Sequence, residues 1–191
     1  MSFNTIEANR RAAHFADRDQ LWLFGYGSLI YKAGFDYIER RPATITGWQR
    51  RFWQGSHDHR GTPDAPGRVA TLVEAPGAVC AGMAYLITPD LFGYLDHREK
   101  NGYLRFAADM TFDDGPHAQG LVYIATPQNE AWLGDAPASA IAHQIAHSQG
   151  PSGANRDYLL NLAEALRAMD AADPHVFDIE AELRRIERGM S

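Results

Sequence analysis

The chain has 191 residues, 45% of them apolar and 22% charged, the balance of a globular fold of about one domain. A single cysteine, Cys80, excludes an internal disulfide framework and a cysteine-rich zinc site, and the net charge of −6 argues against general binding to nucleic acid or anionic membranes. No stretch approaches the ~18 consecutive apolar residues that span a bilayer, and the opening MSFNTIEANRRAAHFADRD lacks the apolar core of a secretory signal, so a cytoplasmic protein is expected.

Residues 1–20 read as a short polar helix, an extension outside the core, and residues 21–191 as one domain. Leu21 to Tyr26 is an apolar run ending among glycines, the pattern of a buried strand. Ala43 to Gln54 is β-branched and aromatic, interrupted by Gly47 and the Arg50-Arg51 pair. Val69 to Glu74 and Val79 to Ile87 flank Ala75-Pro76-Gly77, which predicts an antiparallel hairpin. Thr88-Pro89-Asp90 opens a helix from Pro89 to about Lys100, with Leu91, Tyr94 and Leu95 as its apolar face and Asn101-Gly102 as its stop. Strands Tyr103 to Phe112 and Gln119 to Thr126 follow, joined by Asp113-Asp114-Gly115-Pro116. From Pro137 the chain turns helical, over Ser139 to Ser148, Ala154 to Met169 and Phe177 to Arg188. Strands first and helices later, without βαβ alternation, predict an α+β fold on a mostly antiparallel sheet.

The longest irregular segment, Gly55 to Arg68, is of a length often given to function. Around it the charge reverses. Six arginines (Arg40, Arg41, Arg50, Arg51, Arg60, Arg68) against Asp58 and Asp64 give +4 in a chain of −6. Such a segment is either a solvated basic face or a local attractor for a small anion, through the guanidinium fork that matches carboxylates.

Gly25-Tyr26-Gly27-Ser28 closes the first strand, and its two glycines permit a sharp bend and close backbone approach to a ligand. A helical turn after it would point free N–H groups at an anion or carbonyl oxygen; without a ligand it is a tight strand exit. It matches neither a dinucleotide fingerprint, a P-loop nor a nucleophile elbow. Glu99, between Arg98 and Lys100, is a surface charge if exposed; turned into a cleft, a desolvated carboxyl becomes a competent general base. His57 with His59, and His143 with His147, each share a face but lack the glutamate of a zinc-protease helix, so no metal is expected. Cys80 reads as a small hydrophobe, and Ser28 has no identifiable base partner for a triad.

Together these segments resemble the ChaC family of glutathione-specific γ-glutamylcyclotransferases. The resemblance rests on Phe24 to Ile30 (FGYGSLI), Arg51 to Ser56 (RFWQGS), Asp58 to Gly61, Pro66 to Arg68, Thr71 to Glu74, Arg98 to Lys100 with Gly102-Tyr103, and Gly150 to Gly153 with Asn155 and Tyr158-Leu159, in the family's order. It departs in the first twenty residues, at His57, where a small hydroxyl residue is usual, and at His97, where an aromatic is common. The resemblance implies a mostly antiparallel β-barrel with helices packed outside, and a cofactor-free lyase without metal or redox chemistry. It implies a reaction in which the α-amine of glutathione attacks its own γ-carbonyl, releasing 5-oxoproline and Cys-Gly. Glu99 matches the family's acid/base. The backbone of Gly25, Tyr26, Gly27, Ser28, Leu29 and Ile30 is expected to hold the glutamyl end, and Arg51 or Arg68 a substrate carboxylate. Gln54, Tyr103 and Tyr158 are further candidates for substrate hydrogen bonds, and the Gly55 to Gly67 loop for a lid. The expected partner is this small-molecule substrate, with no nucleic acid or membrane, acting on a monomer or dimer. Two alternatives stay open: a cyclotransferase for other γ-glutamyl amino acids or amines, and a non-catalytic regulator associated with cation transport.

Overall fold

The computed structural model describes residues 4–11 and 17–189; the rest of the N-terminal helix reading, at residues 1–3 and 12–16, lies outside them. Strand β1 (Leu21–Gly25) runs antiparallel to β3 (Gly67–Ile87), from Leu21 opposite Ile87 to Gly25 opposite Met83. It is also parallel to β5 (His117–Ala125), with Trp22 opposite Gly120 and Leu23 opposite Leu121. That parallel pair closes a five-stranded barrel in the order β1-β3-β2-β4-β5, where β2 is Glu39–Ser56 and β4 is Tyr103–Phe112. Strand β4 pairs antiparallel with both β2 and β5, the latter as a hairpin through the expected Asp113–Pro116 turn, where Gly115 takes φ +104°. A mixed barrel with helices, an α+β fold, is therefore the architecture.

The chain forms two compact units, one from the residues up to Gln49 with Leu72–Glu130, the other from Arg50–Thr71 with the residues from Ala131. The first unit buries Leu21, Leu23, Phe24, Ile45, Tyr85, Met110, Leu121 and Ile124, and it contains the helices α1 (Ile6–Arg11) and α2 (Phe92–Arg98). The second contains α3 (Ala138–Ala146), α4 (Asn155–Ala168) and α5 (Pro174–Glu187), preceded by the short antiparallel pair β6 (Gln149–Gly150) and β7 (Gly153–Ala154). Its buried side chains Ile141 and Ile145, Leu159, Leu162 and Leu166, Val176, Ile179 and Leu183 recur at helical spacing. Each such side chain contributes about 2 kcal/mol on burial.

Three local expectations shift. Ala75-Pro76-Gly77 does not reverse the chain: β3 runs through it, taking up Gly77 at φ +80° without leaving the strand. The Pro89 helix begins as a 3-10 turn (Pro89–Leu91) before α2, and Tyr94 is exposed while Leu95 is buried. The N-terminal segment is docked rather than outside: Thr5 and Asn9 are buried in the first unit. No helix among the described residues is long and apolar enough to cross a membrane.

Candidate active site

In the first unit the chain leaves β1 through a tight turn into a single 3-10 turn, Ser28–Ile30. Gly25 is required by close approach, since a Cβ there would lie 2.5 Å from that of Leu29. The turn is fastened from two sides: Tyr26, buried, donates its hydroxyl to the Tyr123 carbonyl at 2.7 Å, and the Tyr85 hydroxyl donates to the Leu29 carbonyl. The Gly27 carbonyl accepts from the Ile30 N–H, and the Ser28 carbonyl from those of Tyr31 and Lys32. The N–H groups of Gly27, Ser28 and Leu29 meet no acceptor among the described residues, as expected at the start of a helical turn. These are donors available to a ligand carbonyl or carboxylate.

Glu99 sits at the C-cap of α2, its N–H donating to the Leu95 carbonyl at 2.9 Å. Phe92, Leu95, Asp96 and Glu99 are spaced i, i+3, i+4 and i+7, one face of a helix. That face points inward, with Leu95 and Asp96 buried. Glu99 continues the inner stripe, and its side chain is only 18% exposed. Arg98 joins it to the glycine turn. Its Nε lies 3.4 Å from Glu99 Oε1, its Nη2 donates to Ser28 Oγ at 3.4 Å, and its Nη1 donates to the Ala33 carbonyl at 2.8 Å. The carboxylate is thus one guanidinium away from the side chain of Ser28, a residue of the glycine turn. Beyond it, Gly102 at φ +91° turns the chain into β4, where a Cβ would collide with the Asn129 amide at 2.2 Å. Tyr103, the first residue of β4, donates its N–H to the Glu99 carbonyl at 3.2 Å.

Below this turn, Asp96 on α2 receives Nε and Nη2 of Arg105 and the hydroxyl of Tyr123, the last at 2.8 Å. All three side chains are buried, and the Arg105 guanidinium lies 4.3 Å over the Phe92 ring. Burial pushes the Tyr123 hydroxyl far above its ordinary pKa, so it stays protonated and donating. The network ties the Glu99 helix to two barrel strands.

The remaining candidates lie in the second unit. Arg68 donates Nε to Gln144 at 2.8 Å and Nη1 to the carbonyls of Phe52 and Gly134. Gln54 is buried and reaches the Gly55 carbonyl; Arg51 donates to the Arg50 carbonyl. Tyr158, also buried, accepts from the Ala70 N–H and meets the Phe52 ring edge-on. These bonds are internal to the unit's frame. The Gly55 to Gly67 loop is packed rather than loose: Ser152 donates its N–H to the His59 carbonyl, Arg60 donates to the Ala154 carbonyl, and a Cβ on Gly150 would lie 2.4 Å from the His59 carbonyl oxygen. His143 and His147 stack at the end of α3, their ring centroids 4.4 Å apart.

Residues 21–186 match the family described as ChaC-like protein. The chain belongs to the ChaC-like family. It is 47% identical over 178 residues to "Gamma-glutamylcyclotransferase 2-3" of Arabidopsis thaliana, covering 87% of this chain and 89% of that one. It is 45% identical to "Glutathione-specific gamma-glutamylcyclotransferase 1" of Danio rerio, covering 88% and 91%. The crystal structure of a γ-glutamylcyclotransferase specific to glutathione from yeast is similar at a TM-score of 0.81 and 32% identity, covering 88% of this chain and 97% of that one. The glycine turn and Glu99, both expected from the sequence, are brought together here through Arg98. Arg98, Asp96 and Arg105 were missed as a group. Only the inner stripe of α2, set one position along from the Leu91–Tyr94–Leu95 face, carries a signal for Asp96 and Glu99.

Proposed function

We propose that the chain is a γ-glutamylcyclotransferase that cleaves glutathione to 5-oxoproline and Cys-Gly, with Glu99 as general acid/base. The α-amine nitrogen of the substrate attacks its own γ-carbonyl carbon, a C–N bond forms, the bond to the cysteine nitrogen breaks, and a five-membered lactam results. Nucleophile and electrophile belong to one molecule, so holding it folded supplies an effective molarity on the order of 10⁵ M. Glu99 takes the proton of the α-ammonium and returns one to the departing cysteine amine, a role worth roughly 10²- to 10⁴-fold. The N–H groups of Gly27, Ser28 and Leu29 face the developing oxyanion or the glutamyl carboxylate; one well-aimed donor contributes about 3 kcal/mol.

The observation that carries this reading is the Glu99 carboxylate, mostly buried and coupled through Arg98 to Ser28 of the glycine turn. The names of the Danio rerio and yeast relatives support glutathione as the substrate. The test is purified protein with reduced glutathione, following Cys-Gly and 5-oxoproline with time, beside γ-glutamyl-alanine under the same conditions. The ratio of kcat/KM for the two is expected to favour glutathione strongly. Glu99→Gln is expected to lose at least 100-fold in turnover with an unchanged far-ultraviolet circular dichroism spectrum. A variant that keeps most of the activity overturns the base assignment.

A further inference from the structure

We propose that residues 4–11, outside the family match, form a clip that positions Glu99, with Thr5 and Asn9 as its two positioning residues. The inference rests on Glu99 being the acid/base. A helix end leaves carbonyls without intrahelical donors. At the end of α2 the Lys100 carbonyl accepts the Thr5 N–H at 3.1 Å, and the single hydroxyl proton of Thr5 is shared between the Lys100 carbonyl, 3.2 Å from Oγ1, and the Glu99 carbonyl, 3.4 Å away, which also accepts the Tyr103 N–H at 3.2 Å.

Asn9 then grips the start of β4. Its Nδ2 donates to the Tyr103 carbonyl at 2.9 Å, and its Oδ1 accepts from the Arg105 N–H at 3.0 Å. One side-chain amide therefore makes both bonds that a neighbouring strand would make. Farther along β4, β2 pairs Ala43, Thr44 and Ile45 with Phe112, Thr111 and Met110. Asn4 completes the zipper with an antiparallel bridge to Asn101. The two grips are one turn apart on the same segment, since the Asn9 N–H donates to the Thr5 carbonyl at 2.9 Å.

Both side chains are fully buried, Thr5 at 0% and Asn9 at 1% exposure. Buried polar groups hold geometry because losing a partner is costly. The clip fixes the backbone on both sides of the Glu99 side chain, at its own carbonyl and at Tyr103, and so fixes the direction of the carboxylate. Misplacement of an acid/base by about 1 Å costs up to roughly 100-fold in rate.

The test compares Thr5→Ala, Thr5→Ser, Asn9→Ala and Glu99→Gln with the parent in the glutathione assay, at a temperature where circular dichroism reports each as folded. Thr5→Ala and Asn9→Ala are expected to lower kcat by about tenfold or more with KM within twofold, and Thr5→Ser to stay within about threefold of the parent. Should Asn9→Ala fail to fold, the two Thr5 variants decide. A Thr5→Ala protein with parental kcat, beside an inactive Glu99→Gln, overturns the clip alone. Thr5→Ser as slow as Thr5→Ala overturns the hydrogen-bonding role. An active Glu99→Gln protein overturns the base assignment and the clip with it.

Discussion

A guanidinium that reaches Ser28, Ala33 and Glu99 at once does work that a point charge does not, because its donors are fixed in one plane. Lysine carries the same charge but cannot hold three acceptors in that geometry. Arg98→Lys is therefore expected to lose about tenfold in kcat with glutathione and Arg98→Met about 100-fold, with near-ultraviolet circular dichroism unchanged. Parental turnover in Arg98→Lys would mean that charge alone, not the fork, matters at this position. Gly25 gives a steric test of the other half of the site. A methyl group there meets the Leu29 Cβ at 2.5 Å, so the backbone must move. Gly25→Ala is expected to cost about 1–3 kcal/mol of stability, measured by urea unfolding, and to depress turnover because the displaced segment bears the free N–H groups. His97 and His57, by contrast, depart from the family pattern without removing a group from the Glu99–Arg98–Ser28 arrangement.

Helix α2 is held to the barrel by a buried ion pair, Asp96 with Arg105, their side chains 3% and 4% exposed. Removing one member of such a pair leaves the other charged and unsolvated, whereas replacing both by apolar groups removes the desolvation cost as well. Asp96→Ala is expected to destabilise the protein by about 3–5 kcal/mol in urea unfolding, and Asp96→Leu with Arg105→Met to recover most of that loss. Equal losses in the single and double variants would show that the pair is not the source of the effect. Legibility follows from the same elements. The glycine turn announced itself because Gly and Ser cluster at the end of an apolar run. Asp96 and Arg105 carry no such signal: they are nine residues apart, on a helix and a strand, and meet only when the turn at Gly102 folds. Helix α5 starts three residues before the Phe177 that its apolar periodicity suggests, because Asp173 caps it by accepting from the Val176 N–H and Pro174 occupies its first turn. In β3 the opposite happened, since Pro-Gly composition suggests a reversal that the strand does not make. The six-residue helix α1 is too short for periodicity to show which of its faces docks.

By charge count the arginine-rich segment reads either as a solvated basic face or as an attractor for a small anion, and the partners of its arginines show how those charges are placed. Arg50 pairs with Asp173 at 2.5 Å and Arg41 with Asp114, so two of the six charges have carboxylate partners from outside the segment, while Arg68 spends its donors on the neutral oxygens of Gln144 and two carbonyls. Composition gives a sum of charges; only tertiary structure decides which are neutralised. His175, beside Phe52, adds a pH dependence to the stability of the fold. Its Nε2 accepts the Phe52 N–H at 2.9 Å, a bond available only to the neutral ring. Burial, reinforced by Arg51 and opposed by Asp173, pushes its pKa down to about 4 from an ordinary 6.5. Between those values the unfolded chain binds a proton that the folded chain refuses, so unfolding is favoured as pH falls. The contribution is complete above pH 6.5, is lost progressively down to about pH 4, and is constant below that. The shift corresponds to on the order of 2 kcal/mol once the partial exposure of the ring is allowed for. Urea unfolding of the parent and of His175→Gln from pH 7.5 to 4 measures it, because the carboxylates that titrate in the same range are common to both proteins. The difference between their stabilities is expected to shrink as pH falls, as only the parent loses a neutral acceptor. A difference that stays flat across the range would mean that His175 titrates normally, and that the bond to Phe52 does not hold the ring neutral.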